Sequence, residues 1–281
     1  MFRLIQGLDP KGQVPKTMKT SHFCQKTLLI GNGRLSHHLQ FYCQSLNWTV
    51  HRKFKSQQKS KRPLLYVWHR SQSLKTLQAA LAECDQVWLA ISDSAIHELI
   101  QKNLQTYGGK ILHFSGALEV PQALSVHPMM TFSHKLYPKN FYSQITWVHT
   151  QKLNWKWHFP FFKNPHRQIP ASEKIAYHLL CVLSGNFTQI LLNTTSDLFS
   201  KLGLNPKEIS PYTMQSVLNQ QQAGWRGLTG PFVRRDQKTI QSHLEYLKSS
   251  KKSKVMTTSQ KKQIQKLYLD FYSLYFKGKA L

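Results

Sequence analysis

Through the first half of the chain, short apolar runs alternate with segments whose apolar residues recur at helical spacing. "KTLLIGNG" is an apolar run bounded by glycine, which suits a strand buried on both faces of a parallel sheet. "RLSHHLQFYCQSL" follows, with Leu35, Leu39, Tyr42, Cys43 and Leu46 at helical spacing. "LLYVWHR" predicts a second strand closing on Arg70, "SLKTLQAALAEC" a helix, and "DQVWLAIS" a third strand ending at Asp93. "SAIHELIQKNLQTY" predicts the next helix, "GGKILHFSG" a fourth strand and "ALSVHPMMTF" a fifth short extended element. This alternation argues for a parallel sheet covered on both faces, and right-handed crossovers make it doubly wound. A ligand crevice is expected beyond the carboxyl ends of the strands.

Two stretches break the rhythm. "NWTVHRKFKSQQKSKRP" is strongly basic and ends in proline. It reads as an insertion between helix and strand, or a hairpin, with a solvated polar tip. "ITWVHTQKLNWKWHFPFFKNPHRQIP" interleaves aromatics with Lys and Arg, a composition able to stack single-stranded bases. Its aromatics alternate as strands do, so Trp155, Trp157 and Phe159 are expected on one face of an edge hairpin.

From Ala171 the period becomes helical. "ASEKIAYHLLCVLSGNFTQILLNTTSDLFSKLGL" is one long apolar helix pattern stopping near Gly203. "PKEISPYTMQSVLNQQQAGW", "DQKTIQSHLEYLKSS" with Asp236 as N-cap, and "SQKKQIQKLYLDFYSLYF" predict further helices. The predicted organisation is a basic tail (1–24), an α/β domain with a doubly wound, mostly parallel sheet (25–168) and an all-α C-terminal domain (169–281). At 281 residues the chain has room for two domains of roughly 100–200 residues.

Composition changes this picture in one respect. Lys and Arg number 38 against 12 acids, and no Asp or Glu occurs between Asp9 and Glu83. Such a charge favours polyanions, so nucleic acid is a candidate partner, although an organism-wide basic bias produces the same numbers. No apolar run approaches the roughly 20 residues of a membrane span, so no membrane partner is expected. The first residues lack the apolar stretch of a secretory signal, and Met18 offers an alternative start. Cys24, Cys43, Cys84 and Cys181 are scattered, which suits reduced thiols in the cytoplasm. The fourteen histidines show neither H-E-x-x-H nor C-x-x-C company, so no metal site is expected.

The chemistry sits first in "LLIGNGRLSHHL", a strand–turn–helix with G-x-G-x-x-S in place of the dinucleotide fingerprint G-x-G-x-x-G. Gly31 permits the tight turn, and Gly33 lets backbone approach a pyrophosphate. The third position asks only for a small side chain. Ser36 satisfies that, and its hydroxyl is a candidate phosphate donor. Asn32 and the helix amides face the same anion, and Arg34 adds charge. At the end of the second strand an acid would grip the ribose of NAD, whereas a base accommodates the 2′-phosphate of NADP. "WHRSQS" offers His69, Arg70 and Ser71 and no carboxylate, which points to NADP (NADPH) over NAD.

"LLIGNGRL", "VWLAISDSAI", "ILHFSGAL", "HPMMTFS", "YHLLCVLSGNF" and "LTGPFVRRDQKTIQSHL" occur in the order of a bacterial family. The chain resembles Rossmann-like proteins with a C-terminal helical domain of unknown function, number 2520. That family is similar in build to the 6-phosphogluconate dehydrogenase-like group, which includes pyrroline-5-carboxylate reductase. The resemblance implies a Rossmann-type fold, NADP-dependent oxidoreduction and a helical domain that dimerises. It places Asp93, Ser115 and Gly116 where nicotinamide and substrate meet, with His127 just beyond. It matches Tyr177, His178, Ser184 and Asn186 on the long helix, where His178 is a candidate acid for a substrate carbonyl oxygen. His178 reads equally as a hydrogen-bonded histidine between helices, and Ser184 and Asn186 as helix–helix contacts. Thr229 and Arg234, in "TGPFVRRD", are candidates for an acidic substrate group or a dimer contact. Arg235 replaces the family's glycine, a costly exchange if that position needs a positive φ.

The expected function is an NADP-dependent oxidoreductase acting on a small anionic metabolite, with His178, His127 and Ser115 as the candidate catalytic residues. The alternative is a non-catalytic nucleotide- or nucleic-acid-binding protein that keeps the fold.

Overall fold

The computed structural model describes residues 25–277, so the expected basic tail lies outside the described residues. These residues divide into two compact units between Cys181 and Val182.

The first unit is built on one sheet. In chain order it comprises β1 (Lys26–Ile30), α1 (Arg34–Ser45), β2 (Thr49–His51), β3 (Leu64–Trp68), α2 (Leu74–Leu81), β4 (Gln86–Leu89) and α3 (Asp93–Leu99). A π-helical turn, Ile100–Leu104, extends α3. Then come β5 (Lys110–His113), β6 (Leu124–Pro128), α4 (Lys139–Tyr142), β7 (Trp147–His149), α5 (Trp155–His158), β8 (His166–Gln168) and α6 (Lys174–Cys181). The strand order is β2-β3-β1-β4-β5-β6-β7-β8. All neighbours are parallel except β6 and β7, which pair antiparallel with Val126 opposite His149. The α/β, mostly parallel sheet expected from the alternation is therefore present. The order reverses at β1, which lies between β3 and β4, and that is where a doubly wound sheet opens its crevice.

Successive residues of a strand point to opposite faces, and here both faces are buried. Leu29, Val67, Trp88 and Leu112 pack with Leu39, Tyr42 and Cys43 of α1. Leu28, Ile30, Tyr66 and Leu89 pack with Leu77 of α2 and Ile96 of α3. That explains why the strands read as continuous apolar runs.

Two expectations need correction. The basic stretch after α1 is not wholly an insertion, because Thr49–His51 forms the edge strand β2, paired parallel with β3 through Thr49 and Leu64. Trp48 anchors it, buried, with its indole N–H donated to the Pro160 carbonyl at 3.1 Å. Nor do Trp155, Trp157 and Phe159 share the face of a hairpin. The Asn154 side chain accepts from the Trp157 amide and starts a helical turn, α5. Trp155 and Phe159, four apart, then pack with tilted rings, centroids 4.5 Å apart, inside the core, while Trp157 is exposed.

The helix that begins with α6 continues from Ala171 to Ser200. Its middle, Val182–Phe187, is π-helical, and α7 (Thr188–Ser200) completes it. By length and composition it is apolar enough to cross a membrane, with a mean hydropathy of 1.4, contrary to the expectation that no stretch approaches that condition. Leu183, Phe187 and Ile190 form an exposed stripe along its second-unit part.

The second unit continues with α8 (Pro206–Ala223), α9 (Pro231–Arg234), α10 (Gln237–Lys248) and α11 (Thr258–Lys277). Asn205 and Glu208 form a reciprocal capping box on α8. Asp236 caps α10 by accepting from the Thr239 amide at 3.0 Å, as the sequence predicts. Helices α10 and α11 meet where His243 Nδ1 lies 3.0 Å from the Tyr268 hydroxyl.

Candidate functional site

A cleft of about 1130 Å³ opens beyond the ends of β1, β3 and β4. Gly31, Asn32, Gly33, Arg34, Arg70 and Ser71 all line it. The turn is set by Gly31, whose φ is +137° and whose amide donates to the Trp68 carbonyl at 2.9 Å. A Cβ there would lie 2.2 Å from the Ala90 carbonyl oxygen, so β4 crosses too closely for any other residue. Gly33 does a different job. An added Cβ would meet nothing within 4 Å, so this glycine leaves room in the cleft rather than room for packing.

The start of α1 breaks two local rules at once. Gly33 is its N-cap, so no side chain satisfies the first amides, and no acid lies in the first turn. Arg34, exposed at the first helical position, puts a positive charge against the positive end of the helix dipole. A bound anion reconciles both, and the turn fits a pyrophosphate on these grounds.

Ser36 does not contribute a phosphate contact. It is fully buried, donates its hydroxyl to the Gly31 carbonyl at 2.8 Å and accepts from Gln40 at 3.2 Å. It ties helix to turn, where a third glycine would only leave space. Across the cleft, Arg70 and Ser71 are exposed beyond β3, and the Ser71 hydroxyl lies 2.7 Å from His69 Nδ1. The opposite wall carries Glu98 and Lys102, paired at 2.7 Å, which the sequence reading did not single out. Helical i, i+4 spacing after α3's start was the available signal.

A second group of predicted residues gathers at the end of β5. His127 Nδ1 lies 2.7 Å from the Tyr177 hydroxyl, and the His127 and His178 rings stand 6.0 Å apart. Both imidazoles face Gly116, where a Cβ would lie 2.3 Å from His178 Cδ2 and 3.1 Å from His127 Nε2. Burial, then the neighbouring His178 and Lys174, push His127 down to about 4, so it is neutral at pH 7. Burial, then the Cys181 thiol, hold the Tyr177 phenol far above its ordinary range, and it stays protonated.

Ser115 and Asp93 are brought together. The Ser115 hydroxyl donates to Asp93 at 2.6 Å and accepts from the amides of Ala117 and Leu118. It is buried, and these bonds shape the loop after β5. Asp93 is held at the start of α3 by the same bond and is not among the residues lining the cleft.

The sequence reading missed Lys174, one turn before Tyr177. It is 2% exposed, and its ammonium reaches the Leu118 carbonyl, the Ser125 hydroxyl and, at 2.9 Å, Glu119. Three donors meet three acceptors, which marks a structural tie fixing the first turn of α6 against the sheet. Glu119 also accepts from Thr150 and Gln151. A lysine in a basic sequence carries no signal of burial.

Residues 161–270 match a family described as Domain of unknown function (DUF2520). The C-terminal region carries a DUF2520 domain. No curated protein matches the chain. Among solved structures it is similar to a Bacteroides fragilis protein proposed to be an NADP oxidoreductase, at 18% identity and TM-score 0.65, covering 92% of this chain and 100% of that one. It is similar to an imine reductase of Streptomyces aurantiacus, at 12% identity and TM-score 0.57, covering 90% and 99%. A reductive aminase of Aspergillus terreus, solved with NADPH4, cyclohexanone and allyl amine, matches at 12% identity and TM-score 0.55, covering 91% and 94%. The shared fold is a Rossmann-type sheet followed by helices.

Within the DUF2520 match, Asn186, Thr229 and Arg234 are all exposed on the second unit. Gly230, at φ +102°, is the N-cap of α9. Arg235 ends that helix in the left-handed region at φ 52°, ψ 38°, so the arginine carries the strain expected where the family has glycine. The loop nevertheless closes, with the Asp236 amide donated to the Pro231 carbonyl at 2.9 Å.

Proposed function

We propose that the chain is an NADP-dependent oxidoreductase that moves hydride between nicotinamide and a carbon of a small, anionic metabolite. The observation that carries this reading is the start of α1, an uncapped helix end bearing Arg34 and opening on the cleft at the switch point. The amides following Gly33, with Arg34, would hold the pyrophosphate. Arg70 and Ser71 would take the 2′-phosphate, since "WHRSQS" places no carboxylate there. Relatives of the same fold described as NADP or NADPH proteins support that choice.

When bound, the nicotinamide supplies or accepts the hydride. The chain's part is the proton. In the tautomer in which Tyr177 donates to Nδ1 of the neutral His127, Nε2 is protonated and turned toward Gly116. His127 is in that tautomer a fixed hydrogen-bond donor, and His178 is the proton carrier. Thr229 and Arg234, exposed on the second unit, are candidates for binding an acidic group or for a dimer contact. The exposed stripe Leu183, Phe187 and Ile190 of the second unit supports a homodimer, with a second copy covering it. The scattered cysteines suit a cytoplasmic setting.

The test is NADPH oxidation over a panel of small oxo acids, with and without ammonia. Turnover with one of them, reduced about a hundredfold or more by His178→Ala and less by Ser115→Ala, supports the reading. Turnover unaffected by His178→Ala contradicts the assigned proton carrier.

A further inference from the structure

The segment joining β2 to β3 is more than a connection. Parallel neighbours need a crossover, and here residues 52–63 make it without a helix. The segment is pinned at several points, with Phe54 half-buried. Phe54 packs edge-on against Tyr66 at 5.0 Å, and the Tyr66 hydroxyl donates to the Lys55 carbonyl. Gln72 donates to the Arg52 carbonyl at 3.2 Å. Glu83 accepts from the Ser56 hydroxyl, the Gln57 amide and the Lys26 ammonium, so its charge is already engaged beneath the segment.

The cations face solvent. Arg52, Lys53, Lys55, Lys59 and Lys61 are all exposed, and none has a carboxylate partner among the described residues. A loop that only had to be soluble would gain nothing from being both pinned and uniformly positive, because like charges held together repel. An anionic polymer offsets that repulsion.

We propose that Arg52–Lys61 is a docking surface for the phosphate backbone of double-stranded nucleic acid, bound without sequence preference. Phe54, the segment's one aromatic residue, is turned inward, so no base-stacking platform is offered and phosphate contacts alone remain. The same feature disfavours a lipid surface, since no apolar side chain stands ready to insert. Duplex is favoured over single strand by its higher charge density. The proposal goes beyond the oxidoreductase reading and does not depend on it.

The experiment is fluorescence anisotropy of a labelled short duplex titrated with the full chain across a salt series. Each phosphate contact contributes about −0.9 to the slope of log K against log salt. Replacing Lys53, Lys55, Lys59 and Lys61 together by Gln should reduce the magnitude of the slope by about 3 to 4 and weaken binding at low salt by at least about tenfold. Replacing the same four by Arg should preserve binding. A control removing Lys248, Lys251, Lys252 and Lys254, exposed in the second unit, should change the slope by less than about 1. Equal losses in the two Gln variants would overturn the proposal, because net charge rather than this surface would then be responsible. Loss of solubility without loss of affinity would also overturn it, leaving the lysines as guards of the open β2 edge. Capture on anionic phosphatidylserine vesicles, lost in the segment variant while duplex binding persists, would assign the surface to lipid instead. Unchanged thermal melting of the variants establishes that their fold is intact.

Discussion

The Tyr177 hydroxyl lies 2.7 Å from Nδ1 of His127, bringing the first turn of α6 onto the end of β6. Neither group is an ordinary member of its class, for burial keeps the phenol protonated and the imidazole neutral. In the proposed tautomer, Tyr177→Phe removes the donor to Nδ1. The expected results are a loss of about 1 kcal/mol in denaturant unfolding and an upward move of the His127 titration from near 4, read by NMR. An unmoved titration would show that this contact does not hold the neutral form.

Acid should destabilise the first unit before its carboxylates matter. His113, His127 and His158 are each pushed from an ordinary 6.5 to about 4, chiefly by burial. The unfolded chain takes up protons below about 6.5 that the folded chain refuses until near 4. This contribution is therefore complete above 6.5 and is lost as pH falls toward 4. For the fully buried His113 it amounts to about 3 kcal/mol. Urea midpoints between pH 7 and 4.5 measure it. Neither His113 ring nitrogen has a hydrogen-bond partner among the described residues, so His113→Leu should raise stability at pH 7 by about 1 kcal/mol and flatten the acid limb.

Restoring the usual third glycine should not improve the turn. Ser36→Gly removes the bond to the Gly31 carbonyl and leaves a buried gap, so a loss of about 1 to 2 kcal/mol is expected, with coenzyme affinity within a few fold. Gly31→Ala, by contrast, drives a Cβ to 2.2 Å from the Ala90 carbonyl oxygen and should cost upward of about 3 kcal/mol. Thermal melting of the two variants separates these outcomes.

Breaking the Lys174–Glu119 tie leaves a carboxylate that is one-third exposed. Lys174→Met should therefore cost about 2 to 3 kcal/mol, less than for a fully buried pair. The double variant Lys174→Met/Glu119→Leu should recover part of it. A double variant worse than the single one would contradict the ion-pair account.

Arg235 sits at φ 52°, where glycine has no Cβ penalty. Arg235→Gly should stabilise the chain by about 1 kcal/mol, read as a rise in Tm.

The strands were legible because burial on both faces leaves an apolar run with no alternation to misread, as in Leu28–Ile30. β2 was obscured because a three-residue edge strand offers too few positions for any period to appear. Trp155 and Phe159 were misassigned because one capping residue, Asn154, decided between period two and period four. The glycine turn was readable in kind, since Gly31 answers a steric demand. The partners of Ser36, Ser115 and Lys174 were not, because each hydrogen-bonds within a tertiary contact that adjacent residues do not encode.

The central claim is that the cleft at the β1 turn binds a phosphorylated nicotinamide dinucleotide. Calorimetric titration with NADPH and, separately, NADH tests it most directly, after heparin and moderate salt have stripped adventitious polyanions from the protein. Saturable binding of NADPH, weaker binding of NADH, and loss of both in Gly33→Asp are the predicted result. Binding of neither dinucleotide, or NADPH binding that survives Gly33→Asp, would contradict it.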